Sequence, residues 1–238
     1  MKYELETIPV WEAYEADASC PLCYLSGRLE KQYVTFYLGD SVMTPEIRVQ
    51  VNRRGFCPDH WHALLGSGNK LGLALMATTC IETVRDVLSS EKRSLSGRRG
   101  PSRKAFESVL KRMQERNGDC LICERLLYTL SNYAYTIARL HADEEAFRSR
   151  FAESSGFCLN HLPFGLDIAR QTLSGPEFGH FAEGVFSVID RDLSRIHDEL
   201  SSFTGQFDYR STAPVTDTMK AAPPAAVRKL AGEHFPGR

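Results

Sequence analysis

The sequence contains no hydrophobic run of membrane-spanning length. Its longest apolar stretch, Leu71 to Ile81, is interrupted by Gly72, Thr78 and Thr79. It is also far shorter than the roughly 20 residues that a helix needs to cross a bilayer. The segment before Cys20 carries several acids and lacks the apolar core of a secretory leader. The sequence therefore predicts a cytoplasmic protein without a membrane segment.

A charge excess and a disulfide pattern are also missing. The 238 residues have a formal net charge of −1, so the chain as a whole lacks the basic excess of a polyanion-binding protein. The seven cysteines are an odd number, and a reducing compartment keeps thiols free, which excludes a disulfide framework. Clustered cysteines in such a compartment are typical of metal sites.

Six of the seven cysteines lie in a pair of motifs that occurs twice. The Cys-Pro-Leu-Cys sequence of residues 20–23 recurs as Cys-Leu-Ile-Cys at 120–123. The GFCPDH sequence of residues 55–60 recurs as GFCLNH at 156–161. A repeat of this length indicates two copies of one structural unit.

Helical periodicity separates the two motifs in each copy. Apolar residues recur at steps of three to four residues, at Leu25, Leu29, Tyr33 and Phe36 in the first copy and at Leu126, Leu130, Tyr133 and Ile137 in the second. A second helix is predicted to run back in each copy and to end at Gly55 or Gly156. No period-two run typical of strands occurs. The sequence predicts an all-α fold in which two pseudo-repeated helical modules pack into one bundle.

Composition divides the chain into four predicted segments. These are a first metal-clipped helical module (1–91), a basic linker (92–104), a second metal-clipped module (105–210) and an Ala/Pro-rich tail (211–238). A short helix is predicted in the tail, over Ala225 to Ala231.

The repeated cysteines and histidines form two sets of three thiolates and one imidazole, which are ligands that zinc prefers. A return helix of similar length to the first would bring each Cys-x-x-His back to the Cys-x-x-Cys of its own hairpin. Two zinc ions per chain are therefore predicted, each clipping one hairpin. The predicted ligands are Cys20, Cys23, Cys57 and His60 for the first ion and Cys120, Cys123, Cys158 and His161 for the second. Four protein ligands leave no open position, which indicates a structural role.

Other uses of these cysteines stay open. An iron–sulfur cluster can be held by three thiolates and an imidazole, and the cysteines can also be core residues without a metal. A thioredoxin-type redox role is disfavoured because no βαβ context surrounds the motifs. In a redox protein or enzyme, Asp59, Asp208, Tyr209 and Arg210 would be candidates to assist the metal. Cys80 lies in an apolar helix and is interpreted as an inert buried thiol.

The sequence contains no evident nucleophile–base constellation, so a non-enzyme is favoured. The leading hypothesis is a zinc-stabilised helical binding or adaptor protein with a protein partner or a small ligand. A third hypothesis is nucleic-acid binding through the basic linker, with Arg98, Arg99, Arg103 and Lys104 as contacts. The scarcity of aromatic side chains in that segment disfavours it.

Several motifs together resemble a known family. They are CPLCYL at 20–25, GFCPDH at 55–60, NKLGLALM at 69–76, FDYR at 207–210 and AVRKLAG at 226–232. In this combination the chain resembles an uncharacterised prokaryotic family, a domain of unknown function, over roughly Cys20 to Gly232. The resemblance implies a cytosolic helical protein with the same cysteine motifs, and it implies no activity.

Overall fold

The structure is a computed structural model that describes residues 2–96, 100–207 and 216–233. Within these residues it contains eleven α-helices, one short 3-10 helix and no strand. The prediction of an all-α fold is confirmed.

Six of the helices precede the second Cys-x-x-Cys motif. They are α1 (Lys2–Glu15), α2 (Pro21–Leu38), α3 (Pro45–Arg54), α4 (Pro58–Gly66), α5 (Lys70–Leu95) and α6 (Arg103–Gly118), and the 3-10 helix (Asp40–Met43) lies between α2 and α3. Proline occupies the first turn of α3 and α4, where its missing N–H removes no intrahelical hydrogen bond. Gly55 ends α3 at φ 75°, a left-handed conformation that glycine adopts without strain.

Five helices follow. They are α7 (Leu121–Asp143), α8 (Glu145–Glu153), α9 (His161–Thr172), α10 (Gly175–Gly205) and α11 (Asp217–Ala231). The long α10 begins with a capping box between Ser174 and Glu177.

The two terminal helices differ from the prediction. Helix α1 was not predicted, although Val10, Ala13 and Tyr14 on it are buried. Helix α11 begins at Asp217, well before the predicted start at Ala225, and contains two internal prolines. Proline disfavours a helix interior, so the packing of α11 against α10 is what stabilises this helix.

The chain forms two compact units. Unit 1 comprises Met1–Arg28 and Leu127–Arg238, and unit 2 comprises Leu29–Leu126. The predicted modules 1–91 and 105–210 do not coincide with these units, because each end of unit 2 falls within a helix, α2 or α7. As a division of the sequence into repeats and linkers, the four predicted segments stay a prediction.

Each unit has its own apolar core. In unit 1, aromatic side chains meet edge to face, with ring centroids 4.9 Å apart for Tyr14 and Phe147 and 5.2 Å apart for Trp11 and Phe147. In unit 2, Phe56 packs between Tyr37 and Trp61, at 5.0 and 5.1 Å. Phe56 and Trp61 directly flank Cys57 and His60, so their packing in the core helps to position that motif.

Candidate metal centres

Two groups of cysteine and histidine side chains converge in the described part of the chain. Cluster 1 consists of Cys20, Cys23, Cys158 and His161, and cluster 2 consists of Cys57, His60, Cys120 and Cys123. Within each cluster the four possible ligand atoms all lie within 4.8 Å of one another. Each cluster could therefore hold a metal ion. The structure brings together the eight predicted residues as two sets of three cysteines and one histidine.

The predicted pairing of the motifs is wrong. Each Cys-x-x-Cys meets the Cys-x-x-His of the other copy. The helix lengths explain the difference. Helix α2 has 18 residues and α3 only 10, so at 1.5 Å per residue the outgoing helix climbs about 27 Å and the return helix about 15 Å. Helices α7 and α8 differ even more, with 23 and 9 residues. The return helices are thus too short to bring the chain back to the start of the same hairpin.

Cluster 1 lies wholly in unit 1 and is buried, with all four residues in the core. The Cys23 and Cys158 sulfurs are 3.7 Å apart. His161 turns Nδ1 towards the cysteines, at 3.6 Å from Cys20, 3.3 Å from Cys23 and 3.4 Å from Cys158. Cys20 and Cys23 lie at the start of α2, Cys158 lies in the loop before α9, and His161 is the first residue of α9.

Cluster 2 lies wholly in unit 2 and has the same internal geometry. The Cys57 and Cys123 sulfurs are 3.7 Å apart. His60 Nδ1 lies 3.1 Å from Cys57 Sγ and 3.3 Å from the sulfurs of Cys120 and Cys123. Unlike the members of cluster 1, Cys57 and Cys123 are partly exposed.

A carboxylate completes the surroundings of cluster 2. Glu30 Oε1 lies 3.3 Å from His60 Nε2, on the side of the ring that faces away from the sulfurs. A carboxylate in this position fixes the tautomer and orientation of a ligand histidine. Burial opposes protonation of His60, but hydrogen bonds to Cys120 and Glu30 outweigh it and raise its pKa to about 10.

One thiol in each cluster ionises far more easily than an ordinary cysteine. Hydrogen bonds from Cys20 and Cys23 lower the pKa of Cys158 to about 3. In cluster 2 the pKa of Cys120 is lowered to about 3, mainly by a hydrogen bond from Cys123. Burial raises the pKa of Cys20. A metal ion binds thiolates, so binding in either cluster would displace the protons that remain.

The end of α11 covers cluster 1. Gly232 follows α11 at φ 74°, and a Cβ atom on it would lie 3.0 Å from the Cys158 sulfur and 3.4 Å from the Cys23 sulfur. The next backbone amide, that of Glu233, donates a hydrogen bond to Cys23 Sγ at 3.4 Å. Glycine is thus required here by both the backbone conformation and the space.

Glu30, Gly232 and Glu233 are neighbours of the clusters that were not predicted. All three are distant in sequence from the histidine or sulfur that they contact, so no local pattern identifies them. The predicted helper Asp59 is exposed in the first turn of α4. Asp208, Tyr209 and Arg210 lie outside the described residues. Cys80 is buried, as predicted, and its thiol points to the Val51 carbonyl.

The basic linker is only partly described, because Arg98 and Arg99 lie outside the described residues. Two nearby arginines, Arg103 in the linker and Arg112 beyond it, form ion pairs. Arg112 contacts Glu91 at 2.6 Å, and Arg103 contacts Glu107 at 2.8 Å. Among the described helices, none combines the length and hydrophobicity that crossing a bilayer requires.

The fold and the two clusters define a helical protein with two sets of three cysteines and one histidine that could each hold a metal ion. The chain belongs to a family of unknown function (DUF6062), whose model matches residues 1–236. The predicted membership of an uncharacterised family is confirmed.

A curated relative is the "Uncharacterized 23.9 kDa protein in xynA 3'region" of Caldicellulosiruptor sp. (strain Rt8B.4). It is 23% identical over 194 residues, which cover 81% of this chain and 84% of the relative. No solved structure matches the chain.

Proposed function

We propose that the protein is a zinc-stabilised helical binding protein that holds one zinc ion in each cluster. The observation that carries this proposal is the close convergence of four donor atoms in both clusters. With zinc–sulfur bonds of about 2.3 Å and zinc–nitrogen bonds of about 2.0–2.1 Å, a regular tetrahedron separates two sulfurs by about 3.8 Å and a sulfur and a nitrogen by about 3.5 Å.

The clusters fit those expected separations. One sulfur–sulfur distance in each cluster is 3.7 Å, and the sulfur–nitrogen distances run from 3.1 to 3.6 Å. The remaining sulfur–sulfur distances are within 4.8 Å. Four protein ligands fill a tetrahedron, so neither ion would have an open position for a substrate. This supports a structural role, in which the binding energy of the metal contributes to folding.

The alternative is an iron–sulfur or other redox centre at the same residues. In an iron–sulfur centre with two or four irons, the protein ligands bind different iron atoms, so their donor atoms lie farther apart than the donor atoms around a single ion. The 4.8 Å limit on all separations therefore favours one ion in each cluster. A single iron would have the same geometry, and metal analysis distinguishes it from zinc.

The test is elemental analysis with a visible absorption spectrum on protein purified without oxygen. We expect about two zinc ions per chain and no colour. Removing both ions with a strong chelator should then abolish most of the helical circular dichroism, since the sites join segments that are distant in sequence. Iron with visible absorption, or a metal-free protein with unchanged helicity, would contradict the proposal.

The binding role is supported by a groove in unit 2. The groove has a volume of about 610 Å³ and is lined by the apolar side chains of Phe56, Trp61, Ala77, Ile81 and Val84. Cavities of 300–1,000 Å³ are typical of small-molecule sites. Its lining includes the guanidinium groups of Arg54 and Arg116. Arg54 is already paired with Asp119 at 2.6 Å and with Glu124 at 2.5 Å. Arg116 donates to the backbone carbonyls of Asn52 and Arg53, which leave its positive charge uncompensated. We infer a small apolar ligand that carries an acidic group.

Trp61 provides a direct measurement of binding. In a Trp11→Phe protein it is the single remaining tryptophan, because the chain has two. Decanoate should change its fluorescence saturably, and decanol, which lacks the charge, should bind more weakly. Ile81→Asp, in the groove, should abolish the response. Leu71→Asp is the control, since Leu71 is 72% exposed on the same helix and lies outside the lining.

A protein that does not respond to decanoate would contradict the small-ligand role without affecting the zinc proposal. A protein partner would then be the remaining form of the binding hypothesis. Nucleic-acid binding through the linker has less support, because aromatic side chains that could stack on bases are scarce in that segment.

A further inference from the structure

The C-terminal strap, defined here as Arg228 to Glu233, makes a series of hydrogen bonds next to cluster 1. The backbone amide of Leu159 donates to the Lys229 carbonyl at 2.9 Å. The Asn160 side chain donates to the Ala231 carbonyl. Both donors lie between Cys158 and His161, so the strap is tied directly to the loop that supplies two of the four members of cluster 1.

The strap also contacts the sulfurs themselves. The Glu233 amide donates to Cys23 Sγ at 3.4 Å, and Gly232 leaves no room for a side chain between itself and the sulfurs of Cys158 and Cys23. Three thiolates around a divalent cation leave a net negative charge. An N–H donor to a thiolate offsets part of this charge, and such outer partners strengthen metal binding.

A buried ion pair anchors the strap from the other side. Lys229 Nζ lies 2.9 Å from Asp192 Oδ2, and the two side chains are only 1% and 7% exposed. The same ammonium group donates to the Ser155 carbonyl at 2.5 Å. These contacts account for the AVRKLAG motif, whose lysine is the anchor and whose glycine lies against the sulfurs.

We propose that the C-terminal strap is part of the metal site of cluster 1, where it shields the ion from solvent and donates a hydrogen bond to Cys23. Metal binding and docking of the strap stabilise each other, because the strap packs against the sulfurs that the metal draws together. This inference rests on the proposed function only in requiring an ion in cluster 1. It goes further in assigning a role to a segment that contains no metal ligand.

Unequal metal release from the two clusters follows from this role. Cluster 1 is buried beneath the strap, whereas Cys57 and Cys123 of cluster 2 are partly exposed. A chelator or a proton can reach an exposed thiolate more easily than a buried one. Cluster 2 is thus the exchangeable site, and cluster 1 holds its ion more permanently.

The experiment measures zinc release from the full-length, zinc-loaded protein to 4-(2-pyridylazo)resorcinol. Two phases are expected, and Cys123→Ser identifies the fast phase by removing it. Glu233→Pro eliminates the amide that donates to Cys23 and should accelerate the slow phase about tenfold, the scale on which outer-shell partners act. Glu233→Ala retains the amide and is the matched control, for which the slow phase should be unchanged.

A second pair of variants tests the packing of the strap. Gly232→Ala introduces a Cβ atom 3.0 Å from the Cys158 sulfur and should also accelerate the slow phase. Gly100→Ala is the control, since Gly100 has nearly the same φ, 72° against 74°, and nothing within 4 Å of its added Cβ. Hydrogen exchange of α11 supplies an independent measurement, and protection should fall when cluster 1 loses its ion.

The outcomes separate the two proposals. A protein that neither contains nor takes up zinc contradicts the proposed function. A protein with two zinc ions whose slow phase is the same in Glu233→Pro, Gly232→Ala and their controls contradicts the role of the strap alone. Unchanged exchange in α11 after loss of the cluster 1 ion would contradict the coupling between metal binding and docking.

Discussion

Replacing Lys229 with methionine should destabilise unit 1 substantially, because its ammonium group is buried with a carboxylate. Breaking a buried ion pair by removing one partner typically costs about 3–5 kcal/mol. Asp192 keeps a second partner, since Arg195 contacts its Oδ1 at 2.7 Å. We therefore expect Lys229→Met to lie near the lower end, at about 3 kcal/mol.

Removing the carboxylate of the pair should lower the free energy of unfolding more than removing the ammonium group does. Asp192→Ala leaves the Lys229 ammonium group buried with the Ser155 carbonyl as its remaining hydrogen-bond acceptor among the contacts described above. We expect about 5 kcal/mol for this variant. The double variant should cost less than the sum of the two single variants, because the same interaction is counted in both.

The assay is urea unfolding of the zinc-loaded protein, followed by circular dichroism and by hydrogen exchange of α11. Lys220→Met is the matched control. Lys220 lies on the same helix and pairs with Asp217 at 3.0 Å, but the two side chains are 61% and 100% exposed. The control should leave the midpoint unchanged. If Lys229→Met behaves like Lys220→Met in both measurements, the anchoring role of the buried pair is refuted.

Three further perturbations test other parts of the structure. Glu30→Ala should lower the zinc affinity of cluster 2 about tenfold in a competition titration and leave cluster 1 unaffected, because it removes the carboxylate on His60. Gly156→Ala should lower the free energy of unfolding by about 1–3 kcal/mol in a thermal unfolding experiment, since Gly156 has φ 69° and its added Cβ would lie 3.0 Å from Val188. Gly179→Ala is the control, because Gly179 is exposed in a helix with nothing within 4 Å, and this variant should be as stable as the unchanged protein or more stable. Burial, with the charge of Arg148, lowers the pKa of His141 from 6.5 to about 4. The unfolded chain therefore binds this proton at a higher pH than the folded protein, so the free energy of unfolding should fall as the pH drops from 6.5 to about 4. His141→Phe should make this loss smaller than in the unchanged protein.

The sequence was sufficient to predict the two helices of each hairpin and the composition of both clusters. The three- to four-residue spacing from Leu25 and from Leu126 indicates α2 and α7 directly. Thiolate and imidazole chemistry then identifies the cysteines and histidines as two equivalent sets. These features are local, so they can be recognised without knowing how the helices pack.

The pairing of the sets could not be derived in the same way. The two Cys-x-x-Cys motifs are chemically interchangeable, and only the lengths of α3 and α8 show that a hairpin cannot close on itself. Glu30 and Glu233 reach their clusters through tertiary packing. Helix α11 was underestimated because Pro223 and Pro224 oppose a helix locally, and its contact with α10 outweighs them.

Metal content of two double variants tests the central claim, that each zinc ion joins the two halves of the repeat. Cys23→Ala/Cys158→Ala removes two ligands from cluster 1 and leaves cluster 2 intact, so about one zinc ion per chain should remain. Cys23→Ala/Cys57→Ala damages both clusters, so both ions should be lost or weakly held. The opposite pattern, with no zinc in the first variant and one in the second, would mean that each hairpin binds its own ion and would contradict the account.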